Sequence, residues 1–192
     1  KNIVTSGEAA MHAINKNKFG RLFYHLGPSR DESIFEKVKK NKTKIENSEF
    51  ILCTGLIDEC EKDMNYYKIF LKDLTSKKLV CTNPDITVHR GDKEEYCAGA
   101  IAQIFESLGG EVIYFGKPHN EIYKMCFNSE EKVLAIGDNL RTDIKGANNQ
   151  NIDSVFISNG IHRDEFNNNN DLIKLFEEYK VNSNYFQPEL TW

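Results

Sequence analysis

Residues 132–147, KVLAIGDNLRTDIKGA, contain the pattern that decides the fold. A continuous apolar run ends at Gly137 and Asp138, and a helical pattern begins a few residues later. Such a run is typical of a strand buried on both faces of a parallel sheet. In open α/β sheets, ligands bind at the edge formed by the carboxyl ends of the strands. The segment therefore predicts a strand, a turn and a helix, with Asp138 at a ligand-binding edge.

Strand and helix patterns alternate along the rest of the chain. Apolar runs such as FILC (50–53) and VIYF (112–115) are separated by segments with the i, i+3, i+4 spacing of amphipathic helices, for example residues 65–74. This alternation predicts an α/β fold whose strands are mostly parallel and joined by right-handed crossovers.

The composition of the 192-residue chain excludes several classes of protein. Hydrophobic residues make up 40% and charged residues 28%, which is typical of a globular protein and excludes a disordered or collagen-like chain. The net charge of -4 argues against a general nucleic-acid binder, because such proteins are usually basic. No apolar run approaches the ~20 residues that span a bilayer. We therefore predict neither a nucleic-acid nor a membrane partner.

The cysteines indicate a reducing compartment. There are five, an odd number, and no two have Cys-x-x-Cys spacing. Cys53 and Cys81 lie within apolar runs, where a free cysteine behaves as a small buried hydrophobic residue. A disulfide framework is therefore not expected, and we predict that the protein is cytoplasmic.

Two carboxylates lie five residues apart, one on each side of the predicted turn. If Asp138 and Asp143 converge at the strand end, they suit a hard cation such as Mg²⁺, which takes oxygen ligands and keeps several waters. The alternative is purely structural: Asp138 ends a strand and Asp143 caps a helix. The residues alone leave both interpretations open.

A lysine follows the predicted strand at 112–115. An isolated buried charge is costly, so Lys117 at this strand end suggests a catalytic role, in which it neutralises an anionic substrate and an aspartate beside the metal. Pro118 restricts the preceding residue to extended geometry. We expect the strands at 112–115 and 133–136 to be neighbours, so that Lys117 and Asp138 meet at one edge of the sheet. The alternative is a lysine whose amino group lies in solvent.

Other kinds of site do not fit the sequence. The glycines around residue 116 have the wrong spacing for a phosphate-binding loop, and Pro118 replaces the Ser or Thr that would hold Mg²⁺. Gly-x-Gly-x-x-Gly and Gly-x-Ser-x-Gly are both absent from the sequence. None of the five histidines pairs with a cysteine at zinc-finger spacing.

The combination of motifs resembles a known family. GKPHNEIY (116–123) and GDNLRTDIKGA (137–147) resemble the third and fourth motifs of the haloacid dehalogenase-like hydrolases. The resemblance is closest to their class IIA, which includes p-nitrophenyl phosphatases and nucleotide and pyridoxal phosphate phosphatases. It covers nearly the whole chain, and its further segments are KNIVTSGEAA (1–10), CTNPD (81–85), CAGAIAQIFESLGG (97–110) and SVFISNGI (154–161).

The resemblance implies a Mg²⁺-dependent phosphatase that hydrolyses a small phosphorylated metabolite through an aspartyl-phosphate. It makes Asp138 a metal ligand, and Asp143 a residue that supports the metal directly or through water. It also implies that Lys117 holds the nucleophile and the transferring phosphoryl group. Positioning and charge neutralisation supply most of the rate in such reactions.

The resemblance also implies a division into two domains. A Rossmann-like three-layer core with a parallel sheet would comprise residues 1–18 and 111–192, and an inserted α/β cap domain would comprise residues 19–110. Caps close over the site and select the substrate. Within the cap, residues 85–95 are expected to form a polar, substrate-facing loop, and a homodimer through the cap is possible. The predicted substrate-binding residues are His89, Arg90 and Asn139; for His89 and Arg90 the alternative is a solvated loop.

The family's first motif, a strand ending in Asp-x-Asp, is missing. Asp85 follows a Thr-Asn-Pro turn, not a strand end, so we exclude it as the nucleophile. Thr5 and Ser6 resemble the phosphate-binding Ser or Thr of the second motif, but class IIA places this segment at the cap entry, so we interpret them as structural. We expect the chain to be the back part of a longer protein whose upstream segment provides the nucleophile. The alternative is a non-catalytic α/β module, or pseudoenzyme, that binds a metal or a phosphorylated ligand.

Overall fold

The computed structural model describes residues 3–60, 63–90, 93–128 and 130–191. It divides into two compact units, an N-terminal unit (Lys1–Gly116) and a C-terminal unit (Lys117–Trp192). Each unit contains helices and a parallel sheet, so the predicted α/β fold with parallel strands is confirmed. Within the described residues, no helix has the length and apolar character needed to cross a membrane.

The N-terminal unit is built on a sheet of four parallel strands. The strands of this unit are β1 (Phe23–Leu26), β2 (Phe50–Cys53), β3 (Lys78–Cys81), β4 (Thr87–Arg90), β5 (Lys93–Tyr96) and β6 (Glu111–Tyr114). The main sheet has the order β1-β2-β3-β6. All four residues of β2 are buried, as expected for a continuous apolar run in a central parallel strand.

Helical segments connect these strands. The α-helices are α1 (Ser6–Asn15), α2 (Met64–Leu71) and α3 (Ala98–Ser107), and 3-10 segments span Ser29–Asn41, Ile45–Asn47 and Asp58–Cys60. The Thr5 hydroxyl caps α1 by accepting a hydrogen bond from the Glu8 N–H (3.1 Å). Thr5 therefore has a local structural role at the start of this helix.

Hydrophobic side chains cover both faces of the main sheet. On one face, helices α2 and α3 pack through Leu71 and Phe105 against Ile51 and Leu79. The other face is aromatic: the Phe23 ring lies 5.3 Å from Phe35 and 5.8 Å from Phe50, measured between ring centroids.

All five cysteines are free thiols, as expected; the buried ones are Cys53 and Cys81. Burial raises the pKa of Cys81 to about 12, so its thiol stays protonated.

The segment expected to be a polar loop is a β-hairpin instead. Strands β4 and β5 pair in antiparallel register from Thr87 opposite Tyr96 to Arg90 opposite Lys93. The prediction of a loop over residues 85–95 is therefore wrong. The polar composition concealed the hairpin, because antiparallel pairing satisfies the backbone hydrogen bonds of each strand regardless of side-chain polarity.

Strand β6 belongs to a different sheet from the one predicted. It pairs with β3 in parallel, with Val112 opposite Leu79, and the Phe115 N–H donates to the Cys81 carbonyl (2.9 Å). The expectation that it neighbours the strand at 133–136 is therefore wrong. This pairing lets Val112 and Tyr114 pack against the core under α2 and α3. Residues 1–18 and 111–116, predicted to belong to the core domain, thus group with the N-terminal unit, and the division into core and cap stays a prediction.

The C-terminal unit contains a smaller parallel sheet. Its strands β7 (Leu134–Gly137), β8 (Asp153–Ile157) and β9 (Tyr185–Gln187) lie in chain order. Its α-helices are α4 (Asn120–Cys126), α5 (Lys145–Gln150) and α6 (Asn169–Tyr179). The buried core consists of Leu140, Ile144, Phe156, Leu172, Leu175 and Val181.

The asparagine run at 167–170 provides the start of α6. The Asn168 side chain caps this helix by accepting a hydrogen bond from the Asn170 N–H (2.9 Å).

The core of the C-terminal unit depends on Phe156, which is fully buried and contacts the ring of Phe176 at 5.6 Å. We expect Phe156→Ala to lower the free energy of unfolding by about 3–5 kcal/mol, because the substitution leaves a cavity. The measurement is urea denaturation, with hydrogen exchange in β8 as a local readout. Ile173→Ala on the exposed side of α6 is the control, expected to change stability by less than about 0.5 kcal/mol. Equal losses in both variants would contradict this account.

Candidate active site

The candidate site begins where β7 ends. The residues after Asp138 form a single π-helical turn, Leu140–Ile144, which continues into α5. The Asn139 carbonyl accepts from the N–H groups of both Asp143 (2.9 Å) and Ile144 (3.2 Å). Isolated π-helical turns are rare and are frequent at functional sites. Here the turn brings Asp143 back against the end of β7.

Both oxygens of the Asp143 carboxylate are held. Oδ1 accepts a hydrogen bond from Lys117 Nζ, and Oδ2 accepts one from the Asn139 N–H (3.1 Å). The Asp143 side chain is only 11% exposed, so these bonds compensate for loss of contact with water. The site therefore holds Asp143 in one orientation.

Lys117 pairs with Asp143, whereas the sequence analysis expected it to meet Asp138, and its charge is not buried. Its side chain is half exposed, so the argument from the cost of burial does not apply to it. An ammonium group has three N–H donors. The pair with Asp143 therefore leaves donors on Lys117 Nζ for a second, anionic partner.

Two glycines make room for the two aspartates. A Cβ atom on Gly137 would lie 2.2 Å from Asp143 Cγ, and a Cβ atom on Gly160 would lie 2.2 Å from Asp138 Cβ. These distances are far below van der Waals contact. Each aspartate thus packs against bare backbone, and any larger residue at either glycine would displace it.

The Asp138 carboxylate is held at one oxygen. Its Oδ2 accepts from the Ile161 N–H (3.1 Å). Among the residues that the structure describes, Oδ1 has no hydrogen-bond partner. One carboxylate oxygen of Asp138 is therefore available to a cation or to a ligand.

This donor set fits Mg²⁺, which is usually bound by one or two carboxylates together with waters and substrate phosphate oxygens. Asp138 and Asp143 provide hard oxygen donors at one strand end. Over the described ranges, no group of three or more His, Cys, Asp or Glu side chains is placed to hold a metal. Further ligands would therefore come from water, from substrate or from outside these ranges.

A buried histidine that the sequence analysis missed supports the turn. His162 Nε2 accepts from the Leu140 N–H (3.1 Å), so the ring proton lies on Nδ1, which donates to Glu165 Oε1 (2.8 Å). Glu165 Oε2 in turn accepts from the Tyr179 hydroxyl (3.0 Å). The sequence does contain a local sign of this role, because a glutamate follows the histidine by three residues. The sequence analysis examined the histidines only for zinc-finger spacing, which does not reveal a histidine that supports a turn.

Three predicted substrate-binding residues remain predictions. The Asn139 side chain has a local role, because its Oδ1 accepts from the Arg141 N–H (2.9 Å). The backbone of His89 and Arg90 lies in β4, but their side chains are outside what the structure describes.

The close approach at Gly137 can be tested by Gly137→Ala. We expect a loss of about 1–3 kcal/mol in the free energy of unfolding, because the new methyl group displaces the Asp143 side chain. Gly7→Ala in α1 is the matched control. A Cβ atom there would be 3.5 Å from Ile34 Cγ2, and alanine favours helix, so stability should stay equal or rise. Equal responses in chemical denaturation would contradict the proposed crowding.

His162→Phe tests the support of the turn. Phenylalanine keeps a ring beside Phe156 and Tyr179 but removes the acceptor for the Leu140 N–H. We expect a loss of about 1–3 kcal/mol and faster hydrogen exchange at the Leu140 amide, since a buried donor is left unsatisfied. Arg163→Ala, at an exposed neighbouring position, should leave this amide unchanged. Unchanged exchange in His162→Phe would show that the histidine does not hold the turn.

Comparisons with known proteins agree with this geometry. A family model described as HAD-hydrolase-like matches residues 114–174, which include Lys117, Asp138 and Asp143. The chain is 28% identical over 96 residues to a dihydroxyacetone phosphatase of Corynebacterium glutamicum (strain R), covering 47% of this chain and 35% of that protein.

Solved structures are similar over most of the chain. A haloacid dehalogenase-like hydrolase from Brucella suis 1330 is 32% identical with a TM-score of 0.75, covering 85% of this chain and 64% of that one. A 4-nitrophenylphosphatase from Thermotoga maritima is 26% identical with a TM-score of 0.67, covering 96% of this chain and 68% of that one. The chain thus spans about a third of the curated relative and less than two thirds of the Brucella protein. With the motif residues gathered at the end of β7, the chain is similar in sequence and in fold to haloacid dehalogenase-like hydrolases.

Proposed function

We propose that the chain is part of a Mg²⁺-dependent phosphatase that hydrolyses a small phosphorylated metabolite through an aspartyl-phosphate. The observation that best supports this proposal is the cluster of Lys117, Asp138 and Asp143 at the carboxyl end of β7. Similar proteins are named as phosphatases, which favours this function over a non-catalytic module.

In this proposal each side chain has a defined role. Asp138, whose Oδ1 has no hydrogen-bond partner among the described residues, and Asp143 would hold Mg²⁺. When bound, the cation neutralises negative charge on the phosphoryl oxygens and orients them. Lys117 fixes Asp143 and donates its remaining N–H groups to the anionic phosphoryl group. His162 positions the backbone of the turn, and thereby the two aspartates, without contacting substrate.

The nucleophile is proposed to lie outside the described residues, on a strand that pairs with β7. Within the described part of the chain, β7 pairs on one side only, with β8. Its Leu134 and Ile136 side chains are 50% and 43% exposed. An open edge with unpaired backbone groups and an exposed apolar face are features that another strand and its helices would cover. An aspartate at the end of such a strand would lie beside Asp138.

The remaining predictions are part of the same proposal. The cap, predicted at residues 19–110, would select the substrate, with His89, Arg90 and Asn139 binding it. A homodimer through the cap and a cytoplasmic location are proposed on the sequence arguments above. The name of the Corynebacterium relative supports a small phosphorylated metabolite as the class of substrate.

The test is hydrolysis of p-nitrophenyl phosphate by the product of the complete gene, with and without Mg²⁺. We expect turnover to require the cation. Asp138→Asn and Lys117→Ala should each lower kcat by roughly 100-fold or more, because each removes a group that stabilises the transition state. Circular dichroism checks that both variants fold.

Asp164→Asn is the matched control, because this carboxylate is 90% exposed and lies in the same unit. It should retain normal turnover. Residues 1–192 alone should show none, because the proposed nucleophile is not among them. Unchanged turnover in Asp138→Asn would overturn the phosphatase mechanism, and full turnover by residues 1–192 would overturn the proposed place of the nucleophile.

A further inference from the structure

Two side-chain hydrogen bonds join the segment that follows Lys117 to helix α5. Asn149 Nδ2 donates to the Pro118 carbonyl (3.2 Å), and Gln150 Nε2 donates to Asn120 Oδ1. Helix α5 continues directly from the π-helical turn of the candidate active site. Both bonds therefore link the chain just after the site lysine to the helix that follows the site aspartates.

A tyrosine of α4 packs against the same helix. Tyr123 is buried, and a Cβ atom on Gly146 would lie 1.9 Å from its hydroxyl oxygen. A glycine is therefore required at this position of α5 if the ring is to stay in place. Burial, with the charge of Asp143 nearby, raises the pKa of Tyr123 to about 12, so its hydroxyl is neutral at pH 7. The ring thus fills the space between the two helices without adding a charge to the site.

The α5 residues that make these contacts share one face of the helix. Gly146, Asn149 and Gln150 have the i, i+3, i+4 spacing that places side chains next to one another. The neighbouring Asn148 has a different partner, because its Oδ1 accepts from the Asn182 N–H (2.8 Å) and its Nδ2 donates to the Asn182 carbonyl (2.7 Å). Two adjacent asparagines of α5 therefore bind two different segments of the chain.

The site lysine needs support from its backbone. Its side chain is half exposed, and holding a long, flexible side chain in one conformation costs conformational entropy. The ion pair with Asp143 forms only if the backbones of the two residues lie at a suitable distance. Lys117 directly precedes Pro118, and Asp143 lies two residues before α5. The contacts between these two segments therefore set that distance.

We propose that Asn149 and Tyr123 are positioning residues of the candidate active site. They hold the segment after Lys117 against α5 and thereby keep Lys117 Nζ on Asp143, where its remaining N–H groups meet the phosphoryl group. Neither Asn149 nor Tyr123 contacts the substrate. The inference rests on the proposed function for the role of the lysine, but the order of the lysine side chain can be measured without any reaction.

Two-dimensional ¹³C–¹H NMR of the complete gene product, labelled in its lysines, measures the order of the Lys117 ε-methylene group on the picosecond to nanosecond timescale. Neither substrate nor Mg²⁺ is added, and the signal is assigned by its loss in Lys117→Ala. We expect an ordered methylene group in the unaltered protein and greater mobility in both Asn149→Ala and Tyr123→Phe. Asn148→Ala is the matched control, because it removes an asparagine with two hydrogen bonds from the same helix. It should leave the order at Lys117 unchanged.

Turnover of p-nitrophenyl phosphate by the complete protein tests whether Asn149 acts through the lysine. Asn149→Ala should lower kcat by about tenfold, because a displaced lysine stabilises the transition state less well. In a Lys117→Ala background the same substitution should have no further effect, since no lysine remains to be positioned. Asn148→Ala should retain normal kcat. Urea denaturation checks that every variant folds, and the exposed Asn149 should be replaced with little loss of stability.

The proposal is overturned if Lys117 is already mobile in the unaltered protein, or if it stays fully ordered in Asn149→Ala or in Tyr123→Phe. It is also overturned if Asn148→Ala makes the lysine equally mobile, or if Asn149→Ala lowers kcat further when the lysine is absent. A lack of turnover in the unaltered protein would contradict the proposed function alone, because the NMR experiment then still decides how the lysine is held.

Discussion

The arrangement at the end of β7 depends on the way Asp143 is held. A carboxylate that is 11% exposed is stable only when its oxygens are bonded, and here a lysine and a backbone N–H supply those bonds. The bond from Asn139 requires the π-helical turn, and the close approach to β7 requires Gly137. One buried carboxylate thus fixes the path of the backbone, the identity of a glycine and the position of Lys117.

The sequence predicted what local patterns determine. The apolar runs at 50–53 and 134–137 are strands, and Lys117 pairs with Asp143 close to the end of β7, where Asp138 lies. The features that could not be predicted from the sequence depend on contacts between distant segments. Strand β6 has the same apolar character as a core strand, but its partner is β3, and only the register between them reveals this. The role of His162 is hidden for the same reason, because its acceptor nitrogen faces Leu140 across a loop.

Equal hydrophobicity does not give equal burial in the two sheets. Strand β2 has neighbours on both sides and is buried throughout, whereas β7 is paired on one side within the described residues and leaves Leu134 and Ile136 about half exposed. Both runs resemble buried parallel strands in sequence. The difference in burial therefore comes from the neighbours of each strand and not from its own sequence.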